Sequence, residues 1–468
     1  GHPPKGCVDS NLTVRLCPEF TSNFSSGRDP DPPGTLTVRA FGSGDRLVPL
    51  QDVADGFEQA NGYHRVDVAW RQRIGRWSLF ASPSYLYETE DSIGSSTRGH
   101  SLSARIEARW RQSSRFGLVV GTETRAGSSH IELDAPLPTT LGPAVPGGDA
   151  TSARTDTDVP FAIPAVYATA NLRLGKHRPL TIAGGLRVTT YAVPMTAVTV
   201  DPRLGLSWQV DRRWTLQAAS GLYSQSPELV ELDETFGNPD LVPEKSWQSS
   251  VAVAVALPRD ISLQVTGFYK VGWDLVSASD RVVERNGENV LERFASGGRG
   301  RSFGGELLLR REFSKRLYGW VAYTLSRTQI RERDEEFFAL AAFDQTHILT
   351  LLAGVRLPRN WTISTRFRLT SGNPTTPQRD AVYDVGTGQW TALAAPLLSD
   401  RLPTFHQLDL RVDKTWTLRR IRVLGYFDVQ NLYNARNAEF VSYSFDSRAS
   451  ARITSLSILP TLGLRIDW

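Results

Sequence analysis

Between Trp361 and Leu369 the chain reads Trp-Thr-Ile-Ser-Thr-Arg-Phe-Arg-Leu, apolar at 361, 363, 367 and 369 and polar at 362, 364, 366 and 368. Thr365 is the one polar residue on the apolar side. A strand turns successive side chains to opposite faces, so a period of two makes one face apolar and the other wet. The pattern recurs. Leu102, Ala104, Ile106, Ala108 and Trp110 alternate with Ser103, Arg105, Glu107 and Arg109. Ile261, Leu263 and Val265 alternate with Ser262, Gln264 and Thr266, and Leu408, Leu410 and Val412 with Asp409, Arg411 and Asp413. These repeats restrict the chain to an all-β fold.

A soluble sandwich also alternates, so the connections must decide. Short ones fall at Gly75-Arg76, Asp211-Arg212-Arg213, Pro258-Arg259-Asp260, Ser314-Lys315-Arg316 and Pro358-Arg359-Asn360. Between them lie long segments rich in Gly, Pro, Asp and Ser: 134–160, 227–245, 274–301 and 372–403. Short turns at one end and long loops at the other are the signature of a membrane barrel, with periplasmic turns and extracellular loops. Trp77, Trp214 and Trp361 open strands after short turns, and Trp416 closes one before such a turn. Indole favours the headgroup boundary, so these four read as a periplasmic aromatic girdle. The mean hydropathy of -0.27 does not oppose this reading, because lipid-facing and lumen-facing residues cancel. No stretch is long and apolar enough for a membrane helix.

The expected fold is therefore a transmembrane antiparallel β-barrel spanning residues 35–468, of about eighteen strands from Thr35–Phe41 to Leu462–Trp468. Residues 1–34 read as an irregular segment, in the lumen or in the periplasm. Cys7 and Cys17 lie in a polar stretch and suit either a disulfide formed in an oxidising compartment or two free thiols. The net charge of +4 is spread along the chain rather than gathered in a patch, which speaks against nucleic-acid binding. Arg105, Glu107, Arg109, Glu306, Arg310, Arg366, Arg368, Asp409, Arg411 and Asp413 are expected to line the lumen. Charged pairs solvating a pore and guidance of an anionic solute are both open readings of that lining.

The chain closes Thr461-Leu-Gly-Leu-Arg-Ile-Asp-Trp468. Thr461, Gly463, Ile466 and Trp468 match the C-terminal signal by which outer-membrane insertion machinery pairs a last strand, with Ile466 and Trp468 facing lipid. Upstream, ordered motifs run Asp201-Pro-Arg-Leu-Gly-Leu-Ser-Trp208, Gly237-Asn-Pro-Asp-Leu-Val-Pro-Glu244, Ser302-Phe-Gly-Gly-Glu-Leu307 and Gly319-Trp-Val-Ala-Tyr-Thr-Leu-Ser326. They continue with Phe343-Asp-Gln-Thr-His347, Ser371-Gly-Asn-Pro374, Phe405-His-Gln-Leu-Asp-Leu-Arg-Val-Asp-Lys414 and Asp428-Val-Gln-Asn-Leu-Tyr-Asn434. In order and spacing this series resembles the barrel of TonB-dependent outer-membrane receptors of Gram-negative bacteria.

The resemblance implies a ligand-gated importer of a scarce bulky nutrient such as a siderophore, cobalamin or glycan, with both termini periplasmic. It also implies a plug and the TonB energising complex as partners. The sequence shows neither a plug nor a coupling motif, and the family's barrel has about 22 strands. Two readings follow: the barrel portion of such a receptor, with its plug on an upstream part or a separate chain, or a plugless channel or structural barrel subunit of a cell-envelope assembly. Pairing of Thr35–Phe41 with Leu462–Trp468 would close a barrel of about eighteen strands; otherwise a piece is missing.

No catalytic set, cofactor fingerprint or metal-ligand spacing is found, and the chain is not expected to be an enzyme. Gly297-Gly-Arg-Gly300 reads as a flexible loop turn. For ligand capture the candidates are the loop aromatics Trp273, Phe337, Phe338, Tyr383 and Trp390, which can stack on planar ligand groups. The competing reading packs them against other loops or into an upper girdle. The acidic run Glu332, Asp334, Glu335 and Glu336 beside Phe337 reads as a cation site or a solvated loop.

Overall fold

A computed structural model describes residues 14–15, 20–25, 34–47, 59–92, 94–136, 152–192, 194–285, 287–311, 316–386, 389–419, 421–444 and 446–467. Cys7, Cys17 and Trp468 lie outside these residues. One antiparallel sheet takes in twenty-one strands. Eighteen long strands form its wall: β1 Gly34–Leu47, β2 Gln59–Ile74, β3 Trp77–Ser92, β4 Ser95–Arg111, β5 Phe116–Pro136, β6 Ser152–Leu174, β7 Leu180–Tyr191, β8 Ala197–Gln209 and β9 Trp214–Gln225, followed by β10 Glu244–Leu257, β11 Ile261–Arg285, β12 Glu288–Arg311, β13 Leu317–Arg331, β14 His347–Leu357, β15 Trp361–Thr370, β16 Phe405–Leu418, β17 Ile421–Gln430 and β18 Leu459–Asp467. Each pairs with the next in an up-and-down meander, which leaves backbone groups satisfied where water is absent.

Two features correct the sequence expectation at the N-terminal side. Phe20–Ser25, within the segment expected to be irregular, is a strand paired to β1, and Val14–Arg15 pairs further along it. Thr35 to Ala40 therefore have neighbours on both sides, Phe20–Ser25 and β2. Of the two alternatives left open for closure, the pairing of Thr35–Phe41 with the last strand does not occur among the described residues, because that edge of β1 is occupied by Phe20–Ser25. Among the described residues β18 pairs only with β17.

The two faces divide as the alternation requires. On β4, Leu102 and Ile106 are 65% and 58% exposed in the isolated chain, whereas Glu107 on the opposite face is 3% exposed. Exposed Val198, Val200, Leu204, Leu206 and Trp208 share one face of β8, and Leu462, Leu464 and Ile466 share one face of β18. This outward surface would be aggregation-prone in water and is at home in lipid. Thr365, the exception in its strand, donates its hydroxyl to the Asp409 carbonyl at 2.9 Å, so this hydroxyl does not meet the hydrocarbon unpaired.

Although at one end only two residues separate β3 from β4 and β11 from β12, the short connections read from the sequence join strands at the other. In two of them the central residues, Arg259-Asp260 and Arg359-Asn360, have positive φ, the geometry that joins twisted strands in two residues. Trp77, Trp214, Trp361 and Trp416 sit at this end, each between 42% and 46% exposed. Trp110, stacked on Trp77 with ring centroids 6.1 Å apart, and the half-exposed Trp208 extend the same belt.

At the other end the expected long loops are partly strand. Residues 274–301 are not a loop: β11 and β12, of 25 and 24 residues, run through them to a turn at Gly287. Likewise β5 and β6 extend into 134–160. Above the bilayer both faces of a hairpin meet water, so the ladder persists while the apolar alternation that reveals it disappears. Gly297–Gly300 is accordingly part of β12, not a flexible turn. There a Cβ on Gly298 would stand 2.5 Å from the Ser277 hydroxyl, at an irregularity in the β11–β12 register.

Candidate functional site

The inner wall carries two ionic networks. On the β4 side, Glu107 accepts from Arg105 at 2.8 Å, from Arg109, and from the Tyr167 hydroxyl at 2.9 Å. Arg105 also donates to that hydroxyl at 3.0 Å, and Arg187 pairs with Glu123 at 2.9 Å nearby. On the opposite flank of the sequence, Asp409 receives Arg366 at 2.6 Å, Gln407 at 2.7 Å and the Asn431 amide at 3.0 Å. Arg411 pairs with Asp413 at 2.9 Å, and its guanidinium carbon lies 4.0 Å from the centre of the Tyr426 ring. Thr350, Arg368 and Gln407 continue the same row across β14, β15 and β16. Glu306 and Arg310 share a face of β12, opposite Thr324 and Trp320 of β13. Salt-bridged arginines leave a wet, charged lining with few uncompensated charges.

Tyrosines in this lining lie over glycines of the adjoining strand. Tyr167 is paired with Gly121, Tyr318 with Gly354 and Tyr426 with Gly463. A Cβ on the three glycines would come within 2.5, 2.1 and 2.2 Å of the respective ring. Each ring thus fills the place of the missing side chain and braces the wall. Gly463, singled out as part of a closing signal, has this steric role, and Thr461 and Ile466 occupy opposite faces of β18.

At the long-loop end a packed core stands over the wall. Tyr191, Met195, Leu232 and Leu241 are buried together, with Ile163, Ala197, Val276 and Phe294 against them. The Gly237–Glu244 motif builds this core. Asn238 donates to the Phe294 carbonyl at 2.8 Å and accepts from Arg285 at 2.8 Å, and Glu244 accepts the Val276 amide at 3.0 Å. Burial holds the Glu231 carboxyl above its ordinary value. The Phe343–His347 motif supplies a second fixture. Asp344, 1% exposed, binds Arg401 at 2.5 Å and takes the Thr328 amide at 2.6 Å, while Arg401 reaches the Asp344 and Gly372 carbonyls at 2.7 and 3.0 Å. Asn431 closes a third, bonding Ala435 in both directions and the Leu456 carbonyl. These three fixtures were not foreseen as buried polar contacts; their signal was the ordered motifs themselves.

The aromatic candidates separate into three places. Trp273 is not in a loop: it belongs to β11, opposite Lys245, on the same face as Val271. Phe337 is 79% exposed, while Phe338 lies against Arg301 and Arg331 at 4.3 and 5.4 Å from its ring centre. Tyr383 and Trp390 face each other across a hairpin of Gln378–Asp384 and Gln389–Ala394, with ring centroids 5.3 Å apart. Glu332, Glu335 and Glu336 share the Phe337 loop; Asp334 of the same run is paired with Arg281. No group of three or more metal-ligating side chains suited to an ion occurs among the described residues.

A long-loop face held by buried fixtures over a charged lumen defines a membrane-spanning receptor barrel. The family model described as TonB dependent receptor-like, beta-barrel matches residues 18–432, and the chain belongs to that family of outer-membrane transporters. No curated protein matches the sequence. Among solved structures, the FrpB iron transporter from Neisseria meningitidis (F3-3 variant) superposes with a TM-score of 0.63 at 14% identity, covering 92% of this chain and 69% of that one. The ferric-catecholate import receptor Fiu from K12 E. coli gives 0.62 at 11%, over 93% and 73%. The siderophore receptor PiuA from Acinetobacter baumannii gives 0.62 at 11%, over 93% and 72%. At such identities the likeness concerns the fold.

Proposed function

We propose that this barrel is the outer-membrane part of a TonB-energised importer that captures a scarce, bulky nutrient at its long-loop face. The lumen passes the ligand on when a plug rearranges. A ferric chelate is the favoured class, since the similar structures include an iron transporter and receptors for iron-carrying ligands by their own descriptions. The observation that carries the reading is the Tyr383–Trp390 pair, an apolar platform with Tyr383 47% exposed, on a hairpin at the long-loop end. Planar aromatic faces bind catecholate-like and heterocyclic groups by stacking. In this orientation the short turns and the end of β18 are periplasmic, and the insertion machinery reads that last strand. Val14–Arg15, paired with Asp45 and Gly44, instead bring the described N-terminal residues to the long-loop end, against the expectation that both termini are periplasmic.

The test is uptake of labelled ferric chelates by cells whose own receptors are deleted and which express the intact gene product. Uptake should require an energised inner membrane, and Tyr383→Ala/Trp390→Ala should raise the half-saturating concentration about tenfold, as expected for loss of about 1–3 kcal/mol of stacking. Steady conductance in planar bilayers without any energised uptake would instead establish a plugless channel.

A further inference from the structure

Four arginines form a cluster on the outward face, just above the upper edge of the lipid-facing band. On β12 the outward residues rising from the short-turn end are Arg311, Leu309, Leu307, Gly305, Phe303, Arg301 and Arg299, and on β13 they are Gly319, Val321, Tyr323, Leu325, Arg327, Gln329 and Arg331. The register sets Arg299 opposite Arg331, Arg301 opposite Gln329 and Phe303 opposite Arg327. Level with Arg327 and below the other three lies the aromatic pair Tyr269–Phe303, and lower still Tyr323–His347, with ring centroids 6.4 and 6.2 Å apart. From Arg311 to Arg301 the strand climbs about 34 Å, or about 26 Å of height at a tilt of about 40°, which matches an apolar band about 25 Å tall. The arginines therefore stand at the outer-leaflet headgroups.

The cluster is held in shape. Arg301 donates to the Gln329 amide oxygen at 2.8 Å, and Phe338 lies against both Arg301 and Arg331. Neighbouring carboxylates are engaged elsewhere, Asp334 with Arg281 and Glu292 with Arg333. Among the described residues no ion pair joins Glu332, Glu335 or Glu336 to the four arginines. Guanidinium groups offer planar forks of donors suited to phosphate, and aromatic side chains beneath them suit acyl chains.

We infer that this face binds a phosphorylated glycolipid of the outer leaflet, its phosphates on Arg299, Arg301, Arg327 and Arg331 and its acyl chains along the Phe303–Tyr323 surface. The charge complementarity and the height on the wall select a lipid over a soluble anion or a protein partner.

The test is native mass spectrometry of the detergent-purified protein, incubated with diphosphoryl lipid A or its dephosphorylated form. The wild-type protein should retain the diphosphoryl lipid at least tenfold better than the dephosphorylated one. Arg299→Gln/Arg327→Gln, which spares the residues that hold Phe338 and Gln329, should lower retention about tenfold, as loss of charge-assisted contacts predicts. Arg299→Lys/Arg327→Lys should recover part of it. Heat-modifiable migration on gels confirms that each variant is folded. Equal retention of the two lipids, or unchanged retention by the folded Gln variant, would overturn the assignment. Displacement by millimolar inorganic phosphate alone would also overturn it, in favour of a soluble anion.

Discussion

At the scale of single residues, the wall depends on a few pairs in which one side chain exists for the sake of another. In Gly463→Ala the new methyl would meet the Tyr426 ring, which must swing away from Arg411. The expected cost is about 1–3 kcal/mol, as for other overpacked sites. It should appear as a lower heat-unfolding midpoint, and adding Tyr426→Ala should cost less than the sum of the two single changes. Asp344→Ala strips Arg401 and the Thr328 amide of their shared acceptor. Breaking a buried pair predicts a local loss of about 3 kcal/mol, read as faster amide exchange around Thr328 and Gly372 with an unaltered barrel core. The charged rows were readable from alternation alone, since Arg105, Glu107 and Arg109 could hardly face lipid. The identity of each partner was not, because Tyr167 lies sixty residues from Glu107 and only the register joins them.

At the scale of elements, the same alternation that reveals a strand in lipid falls silent above it. That is why β5, β6, β11 and β12 are longer than their apolar patterns, and why Trp273 reads as a loop residue in the sequence although it lies in β11. The turns behaved differently: Arg259-Asp260 and Arg359-Asn360 were visible as short polar breaks, although their positive φ was not. The packed loop around Glu231 predicts a pH dependence. Its carboxyl, beside Glu228 and Glu244, is raised above the ordinary 4.5 by burial, so the folded loop holds the proton more tightly than the unfolded one. Loop stability is then full below the ordinary carboxylate value and declines as pH rises through the raised one. The protection of the Phe236 and Leu241 amides relative to intrinsic exchange should fall across that window. Glu231→Gln should remove the dependence, and an unchanged profile in that variant would assign it to another group.

At the scale of the whole molecule, the lower tryptophan belt fixes the depth of the barrel. In vesicles, bromine near the headgroups should quench the emission more than bromine at the chain ends. Replacing Trp77, Trp110, Trp208, Trp214, Trp361 and Trp416 with Phe should reduce that difference, and equal quenching by both lipids in the wild-type protein would refute the placement. The fold class, the meander and the family were all legible from strand rhythm, turn asymmetry and motif order. Closure was not, because which edges meet is decided by pairings far apart in the chain, and here Phe20–Ser25 takes the side of β1 on which the last strand would have closed a barrel of eighteen.

The long β11–β12 hairpin has a consequence for anything larger than a nutrient. A strand needs about ten residues to cross the membrane, so roughly fourteen residues of β11 continue outward, bent at its register shifts and tied at Arg285 to Asn238. That projection makes a parapet on one side of the mouth. Small solutes pass it freely, whereas an antibody or a phage tail fibre meets the crest first and is held away from the entrance it would need to block.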